Sequence, residues 1–348
     1  MRGATCATFA ATRWSIIAEP RPALAVALGD PAGIGPEIIA KAWERRAELN
    51  LPPFFVVGHL ESIAAVWQGP ALAISGPEEA PSAFGAALPV IRVSGSNQVV
   101  PGQPDVEGAH AAFDALEMAV GLTRSGAAAA LVTGPVSKAQ LYSVGFTHAG
   151  QTEFVAERCG VSAEHVAMML VGPTLRTVPI TVHMALADVP SALSIERIVT
   201  KGRATARGLQ RQFGIANPRI AVAGLNPHAG EGGSMGREEI DLIVPAIERL
   251  REEGIDVSGP WPPDTMFHAG ARSQYDAALC MYHDQALVPL KTLHFDEGVN
   301  MTLGLPIVRT APDHGTAFDI AGKGIANPGA MVAAIRTAAA CAGRIAQA

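Results

Sequence analysis

Aromatic residues are scarce in this chain of 348 residues, at 5%, and charged ones are sparse at 17%, against about 25% charged in a typical globular protein. No block of five or more basic residues occurs, and the formal net charge is −6, which excludes a nucleic-acid coat. Long apolar runs are missing too. Stretches such as Ala127–Thr133 fall far short of the ~20 residues a helix needs to cross a bilayer. Cysteine is limited to Cys6, Cys159, Cys280 and Cys341, far apart and without a C-x-x-C pair. Disulfide frameworks belong mostly to small secreted chains, so reduced thiols in the cytoplasm are expected. What the chain does have is 49% hydrophobic residues, with 36 Gly and 26 Pro set between apolar runs. That composition fits a well-buried protein, and the length predicts two domains or one large domain with an insertion.

Residues 1–21 carry Arg2, Arg13 and Arg21 against a single acid, Glu19. This suits a short, poorly ordered extension better than a transit peptide, and no apolar core of signal-peptide length is present. From Ala23 onward, β-type runs alternate with helical patterns, the signature of parallel βαβ architecture. Strands are expected at Leu24–Leu28, Phe54–Val57, Ala129–Thr133, Val178–Val182, Arg219–Ala223 and Ala277–Met281. Helices are expected at Pro36–Glu48, His110–Ser125, Ile195–Phe213 and Glu238–Glu253. Between about Gly69 and Gly108, abundant Gly, Pro and Ser predict short strands with loops.

Open α/β sheets bind ligands outside the carboxyl ends of their strands. After the first strand comes Gly29-Asp30-Pro31-Ala32-Gly33-Ile34-Gly35-Pro36-Glu37, either a plain turn or an anion-binding helix N-terminus. Gly134-Pro135-Val136-Ser137-Lys138 sets a lysine after a Gly-Pro turn, as a solvated charge or a phosphate contact. Three further strands end in histidine, at His183, His228 and His283. One such histidine is ordinarily structural. Three on the same edge of a parallel sheet suit a divalent ion, because three protein ligands leave a position open for substrate. The tail string His314–Pro328 is a dense Gly/Ala/Asn loop that offers backbone groups at close range, as an adenine-and-ribose site requires. Ahead of it, Lys291, Asn300 and Arg309 are either ordinary surface residues or a clamp for a phosphate or carboxylate.

The tail string resembles the cofactor loop of the isopropylmalate and isocitrate dehydrogenases, and Gly29–Glu37 echoes their Gly-Asp-Gly-Ile-Gly-Pro-Glu turn. The strand-end histidines depart from those enzymes, which hold their metal with aspartates. The whole set is similar instead to the 4-hydroxythreonine-4-phosphate dehydrogenase family, over about residues 23–340. The motifs are Gly29–Glu37, Thr133–Lys138, Asn226–Gly233, Tyr282–Gln285, Gly298–Pro306 and Asp313–Asn327.

The resemblance implies an α/β fold of two α/β/α domains with mostly parallel sheets, isopropylmalate-dehydrogenase-like, with the active site in the interdomain cleft. The first domain would span 22–137 plus 303–348, and the second 138–302. It also implies a homodimer with a shared active site, in which His183, His228 and His283 from both subunits hold one divalent ion (zinc, magnesium or cobalt). Gln151, Thr152, Lys291, Asn300 and Arg309 fall on substrate positions. His314, Gly315 and Asn327 would lie near the adenosine of NAD or NADP. Asp264, in Pro263-Asp264-Thr265, matches a position near the site; it and Lys291 are the candidate catalytic residues, alongside a water on the metal. The implied reaction oxidises the secondary alcohol of 4-phosphooxy-L-threonine with NAD or NADP, then decarboxylates it to 3-amino-2-oxopropyl phosphate, in pyridoxal phosphate biosynthesis. No nucleic-acid or membrane partner is implied.

One departure stands out. The family's Gly-His-Thr-Glu is Gly150-Gln151-Thr152-Glu153 here, and glutamine cannot take up a proton near neutrality as histidine can. That bears on the exact substrate rather than the reaction type. A catabolic paralogue would oxidise D-threonate or D-erythronate 4-phosphate, or a dihydrodiol dicarboxylate, with the same fold, metal and cofactor. A non-enzymatic two-domain binding protein is the more distant alternative; that class is usually exported and gives no reason for three strand-end histidines.

Overall fold

The computed structural model describes residues 21–95 and 99–347. Apart from Arg21, the expected extension therefore lies outside the described residues, and so does Cys6. Among the described residues, twelve strands form one sheet. They are β1 (Leu24–Ala27), β2 (Phe54–Gly58), β3 (Ala71–Ala73), β4 (Leu88–Arg92), β5 (Leu131–Thr133) and β6 (Ala167–Val171). The rest are β7 (Arg176–Pro179), β8 (Arg219–Ala223), β9 (Asp256–Trp261), β10 (Ala277–Cys280), β11 (Val299–Leu303) and β12 (Arg309–Pro312). Their order across the sheet is β3-β4-β2-β1-β5-β12-β11-β6-β7-β10-β8-β9.

Pairing is parallel except at the centre, where β12–β11, β11–β6 and β6–β7 are antiparallel. Three reversals in succession make the block from β3 to β12 run opposite to the block from β7 to β9. The mostly parallel α/β reading holds, with an addition. Strands β6, β11 and β12 were not among those expected, because steady βαβ alternation gives no reversal; β9, a parallel edge strand on β8, was not expected either. Segments such as Arg309–Pro312 carry little strand propensity of their own. They become strands because they pair on both sides.

Strands β1 and β2 are buried on both faces, as parallel strands between helical layers must be. Leu24 and Val26 of β1 share a core with Ile38, Ile39 and Trp43 of helix Gly35–Glu44. Ala25 and Ala27 face Ala112, Ala115, Leu116 and Ala119 of helix Val106–Arg124. That second helix starts before the expected His110, since Asp105 caps it by accepting the Gly108 N–H at 2.6 Å. Helix Ile195–Phe213 has the expected bounds, opened by Ser194 and closed by Gly214 in the left-handed region at φ 68°. The expected helix at Glu238–Glu253 begins as a π-turn, Glu239–Ile243, before the α-helix Val244–Glu252. Pro245 lacks the N–H that would continue a regular ladder through the junction.

The ranges 22–137 and 303–348 hold β1 to β5 and β12, whereas 138–302 holds β6 to β10. The division at 302/303 falls inside β11, whose ladder with β12 carries the sheet from one half into the other. No helix among the described residues is long and apolar enough to cross a membrane.

Candidate functional site

The turns after β1 and β5 interlock backbone to backbone. Asp30 N donates to Pro135 O at 2.9 Å, and Gly134 N donates to Ala27 O at 2.8 Å. Gly29 has φ +81°, and a Cβ on it would lie 2.4 Å from Pro135 O, so only glycine fits. The neighbouring Asp30 carboxyl is buried and accepts the Ala32 N–H at 3.1 Å. Burial pushes its pKa up to about 6; the Ala32 bond opposes this and the Asp105 charge adds to it.

Folded Asp30 therefore holds its proton more tightly than the unfolded chain does. It costs nothing below about pH 4 and weakens the fold as pH rises through about 6. Asp30→Asn keeps an acceptor for Ala32 and removes the charge. It should gain roughly 1–3 kcal/mol at pH 7 and almost nothing at pH ~3.5, as read from denaturant unfolding at both pH values. An equal change at both would rule this out.

The antiparallel centre builds the next layer. Directly paired residues point to the same face of a sheet. The pairs Thr302–Arg309, Asn300–Ala311 and Thr302–Met168 thus put Arg309, Asn300, Thr302 and Met168 on one face. Arg309 is only 4% exposed. Its Nη1 donates to Thr302 Oγ1 at 3.2 Å and, weakly, to Thr152 Oγ1 at 3.5 Å. Its Nη2 donates to Thr133 Oγ1 at 2.7 Å and Gln151 Oε1 at 3.0 Å. The Gln151 amide nitrogen in turn donates to Gly134 O at 3.1 Å.

All four partners of Arg309 are neutral oxygens, and its Nε has none. Burial pushes the guanidinium down to about 10, and the Glu153 charge works the other way. A buried cation without a counter-charge is costly in itself. It is also a receptor for an anion that brings the missing charge.

A cleft of about 880 Å³ lies against this face. Of the expected site residues, Gln151, Thr152, His183, Asn300, Arg309 and His314 line it. Lys138, Glu153 and Lys201 line it as well. The sequence marks Lys138, in its Gly-Pro turn, but gives no sign of a cleft role for Glu153, Lys201 or the Thr302 contact. Lys201 donates to the Glu164 carbonyl at 3.3 Å and to the Val166 carbonyl, and burial holds its pKa below the usual lysine value. It sits mid-helix with no motif around it, so no sequence signal marks it.

His183 and His283 meet, with ring centroids 5.6 Å apart. The His183 pKa lies below its ordinary value, through burial first and then the charges of Lys138 and His283, with Glu153 opposing. That favours the neutral imidazole, the form that binds a metal. His283 opens helix His283–His294, with Nδ1 2.7 Å from Asp284 Oδ1. His228 is not part of this pair: it is exposed, as His183 is, lies outside the cleft lining, as His283 does, and starts a left-handed run that continues through Gly232. Among the described residues, no three His, Cys, Asp or Glu side chains come together to hold a metal. One chain thus presents two imidazoles together and the third elsewhere. His183 and His228 both have positive φ, at 47° and 51°, a strained conformation for residues with a side chain.

The other expected residues, His314 apart, do not line the cleft. Lys291 pairs with Asp313, Nζ to Oδ2 3.1 Å, just beyond the end of β12. Asp264 is exposed in the turn after β9 and outside this chain's cleft. His314 is on the cleft wall, with Nδ1 3.1 Å from Gly315 O. Gly315 faces open space, where an added Cβ would meet nothing within 4 Å. Asn327 is engaged structurally: it donates to Asp296 Oδ1 at 3.0 Å and accepts the Gly329 N–H at 2.9 Å, at the start of helix Gly329–Ile345. The thiols of Cys159, Cys280 and Cys341 are unpaired, and burial raises all three, Cys341 to about 11, so none is a ready nucleophile.

Comparison with known proteins bears on this arrangement. Residues 52–338 match the family described as pyridoxal phosphate biosynthetic protein PdxA. A 4-hydroxythreonine-4-phosphate dehydrogenase of Zymomonas mobilis is 57% identical over 91% of this chain and 94% of its own length. Another, from Erythrobacter litoralis, is 55% identical over 95% of this chain and 99% of its own. The crystal structure of a 4-hydroxythreonine-4-phosphate dehydrogenase from Klebsiella pneumoniae superposes with a TM-score of 0.83 at 38% identity. It covers 92% of this chain and 99% of that one.

Proposed function

The chain belongs to the pyridoxal phosphate biosynthetic protein PdxA family, and from that premise we propose that it is a 4-hydroxythreonine-4-phosphate dehydrogenase. It oxidises the secondary alcohol of 4-phosphooxy-L-threonine with NAD or NADP and releases CO2 to give 3-amino-2-oxopropyl phosphate. The observation that carries this reading is Arg309, a buried guanidinium held among neutral oxygens on the wall of the cleft. A phosphate supplies the charge it lacks. Thr152 and Asn300, beside it in the cleft, hold the same group, and Gln151 fixes the direction of the guanidinium. Lys291, paired with Asp313, adds a second cation.

The donor set suits zinc, magnesium or cobalt: His183 and His283 hold the ion from one subunit, and the partner subunit's His228 completes the ligands. These histidines would hold an ion that supplies Lewis acidity at the substrate hydroxyl and at the charge that develops as CO2 leaves. The loop that begins at His314 would hold the nicotinamide cofactor, which would supply the hydride acceptor. Asp264, exposed and outside this chain's cleft, acts as His228 does, only across a subunit boundary. Large exposed apolar side chains three and five residues along the chain from His183 and His283 favour such a homodimer: Leu186 is 67% exposed and Val288 61%. Unpaired thiols among the described residues, Cys280 and Cys341 buried and Cys159 half-buried, suit a cytoplasmic enzyme.

The deciding measurement is the appearance of reduced nicotinamide with the phosphorylated hydroxythreonine, run beside D-threonate 4-phosphate, D-erythronate 4-phosphate and a dihydrodiol dicarboxylate. Turnover with one of the other three and none with the hydroxythreonine phosphate would overturn the substrate. The shared site has its own test. His183→Ala and His228→Ala dimers, each inactive, should regain up to about a quarter of wild-type activity after subunit exchange. Random exchange makes half the dimers mixed, and each mixed dimer holds one intact site of two. No recovery, with exchange shown by mass, would place the whole site within one chain.

A further inference from the structure

Glu37 is a buried carboxylate, 3% exposed, that the reaction described above does not use. Its Oε1 accepts the Ala326 N–H at 2.9 Å and the Lys41 ammonium at 2.7 Å. Its Oε2 accepts the Gly324 N–H at 3.3 Å. Lys41 meanwhile donates to the carbonyls of the same two residues, Gly324 at 2.9 Å and Ala326 at 2.8 Å. One ion pair on helix Gly35–Glu44 thus takes both the N–H and the C=O of Gly324 and of Ala326. The other end of the loop is tied to the same helix start, where Ile34 N donates to Thr316 O at 3.0 Å.

We propose that Glu37 and Lys41 are positioning residues that hold the loop 314–327 in the shape that binds the adenosine half of the nicotinamide cofactor. The proposal rests on the reading of that loop as the cofactor loop. The chemistry requires a carboxylate at this place. Three donors converge on two oxygens, and an amide would turn one of its own N–H groups toward a donor. Charge-assisted bonds of this kind are the stronger ones. They fix a glycine-rich segment whose free chain would lose much entropy on binding a nucleotide. Gly324 has φ +72°, so the loop also needs a residue that accepts the left-handed region there.

The test uses the full-length dimer with Glu37→Gln, and with Lys41→Met and Lys41→Arg as second variants, each checked for a native melting transition. Hydrogen exchange at the Gly324 and Ala326 amides and the calorimetric Kd for NAD or NADP are read side by side. Faster exchange with a Kd weakened about tenfold or more, a KM for the cofactor that rises more than kcat falls, and partial rescue by Lys41→Arg would support the proposal. Unchanged exchange at both amides would overturn the clamp. Faster exchange with an unchanged cofactor Kd would instead overturn the reading of 314–327 as the cofactor loop, and the proposal with it.

Discussion

Alanine at His183 or His283 should lower kcat by about a thousandfold or more while the chain still folds. A bound ion that polarises the reacting hydroxyl is worth several kcal/mol in the transition state, and about 4 kcal/mol is a thousandfold in rate. The fold should tolerate both changes, because the two rings meet at the end of a strand and the start of a helix and neither is a core residue. A chelator should have the same effect on the wild type, reversed by adding back zinc, magnesium or cobalt. Low pH should mimic it gradually, since the imidazoles must be neutral to bind. Full activity in a metal-free preparation would refute the assignment.

Arg309→Ala should cost about tenfold to 150-fold in kcat/KM on the phosphorylated substrate. That range is the 1.5–3 kcal/mol of a hydrogen bond to a charged group. The same enzyme should lose much less on a dephosphorylated analogue. Folding stability should change little or even improve, because the substitution also removes a buried cation with no counter-charge. Arg309→Lys separates charge from shape: the guanidinium reaches Thr302 through Nη1 and Thr133 and Gln151 through Nη2, a spread that one ammonium nitrogen does not reproduce, so it should recover only part of the loss. Equal losses on phosphorylated and dephosphorylated substrates would remove Arg309 from phosphate recognition.

How much of this was legible in the sequence depended on how far apart the cooperating residues lie. The turns after β1 and β5 and the three strand-end histidines were readable, because each is a local string at the end of an apolar run. The parallel strands β1, β2, β5, β7, β8 and β10 were readable for the same reason. The antiparallel centre was not. Nothing local in Val299–Leu303 or Arg309–Pro312 announces a strand, so the face shared by Asn300 and Arg309 exists only once β11 pairs with both neighbours. Lys291, Asn300 and Arg309 had therefore two readings, and resemblance rather than spacing favoured the functional one. Gln151 was expected to touch substrate. It lines the cleft, and its amide also joins Arg309 to the Gly134 carbonyl, a relation between three remote segments that no spacing rule reveals. Glu37 was legible only as part of a turn, since its loop partners lie 287 and 289 residues away.

The unbroken sheet limits how the cleft can move. Two domains joined by loops swing like a door, and the work falls on a few backbone torsions. Here the antiparallel strands β12, β11, β6 and β7 connect the halves and carry residues that line the cleft, so the join behaves as a leaf spring. Drawing the walls together must twist every rung of those ladders a little, and the strain is shared and elastic. Closure should accordingly be small in amplitude, should return promptly when product leaves, and should stiffen or soften with substitutions on the far face of the same four strands.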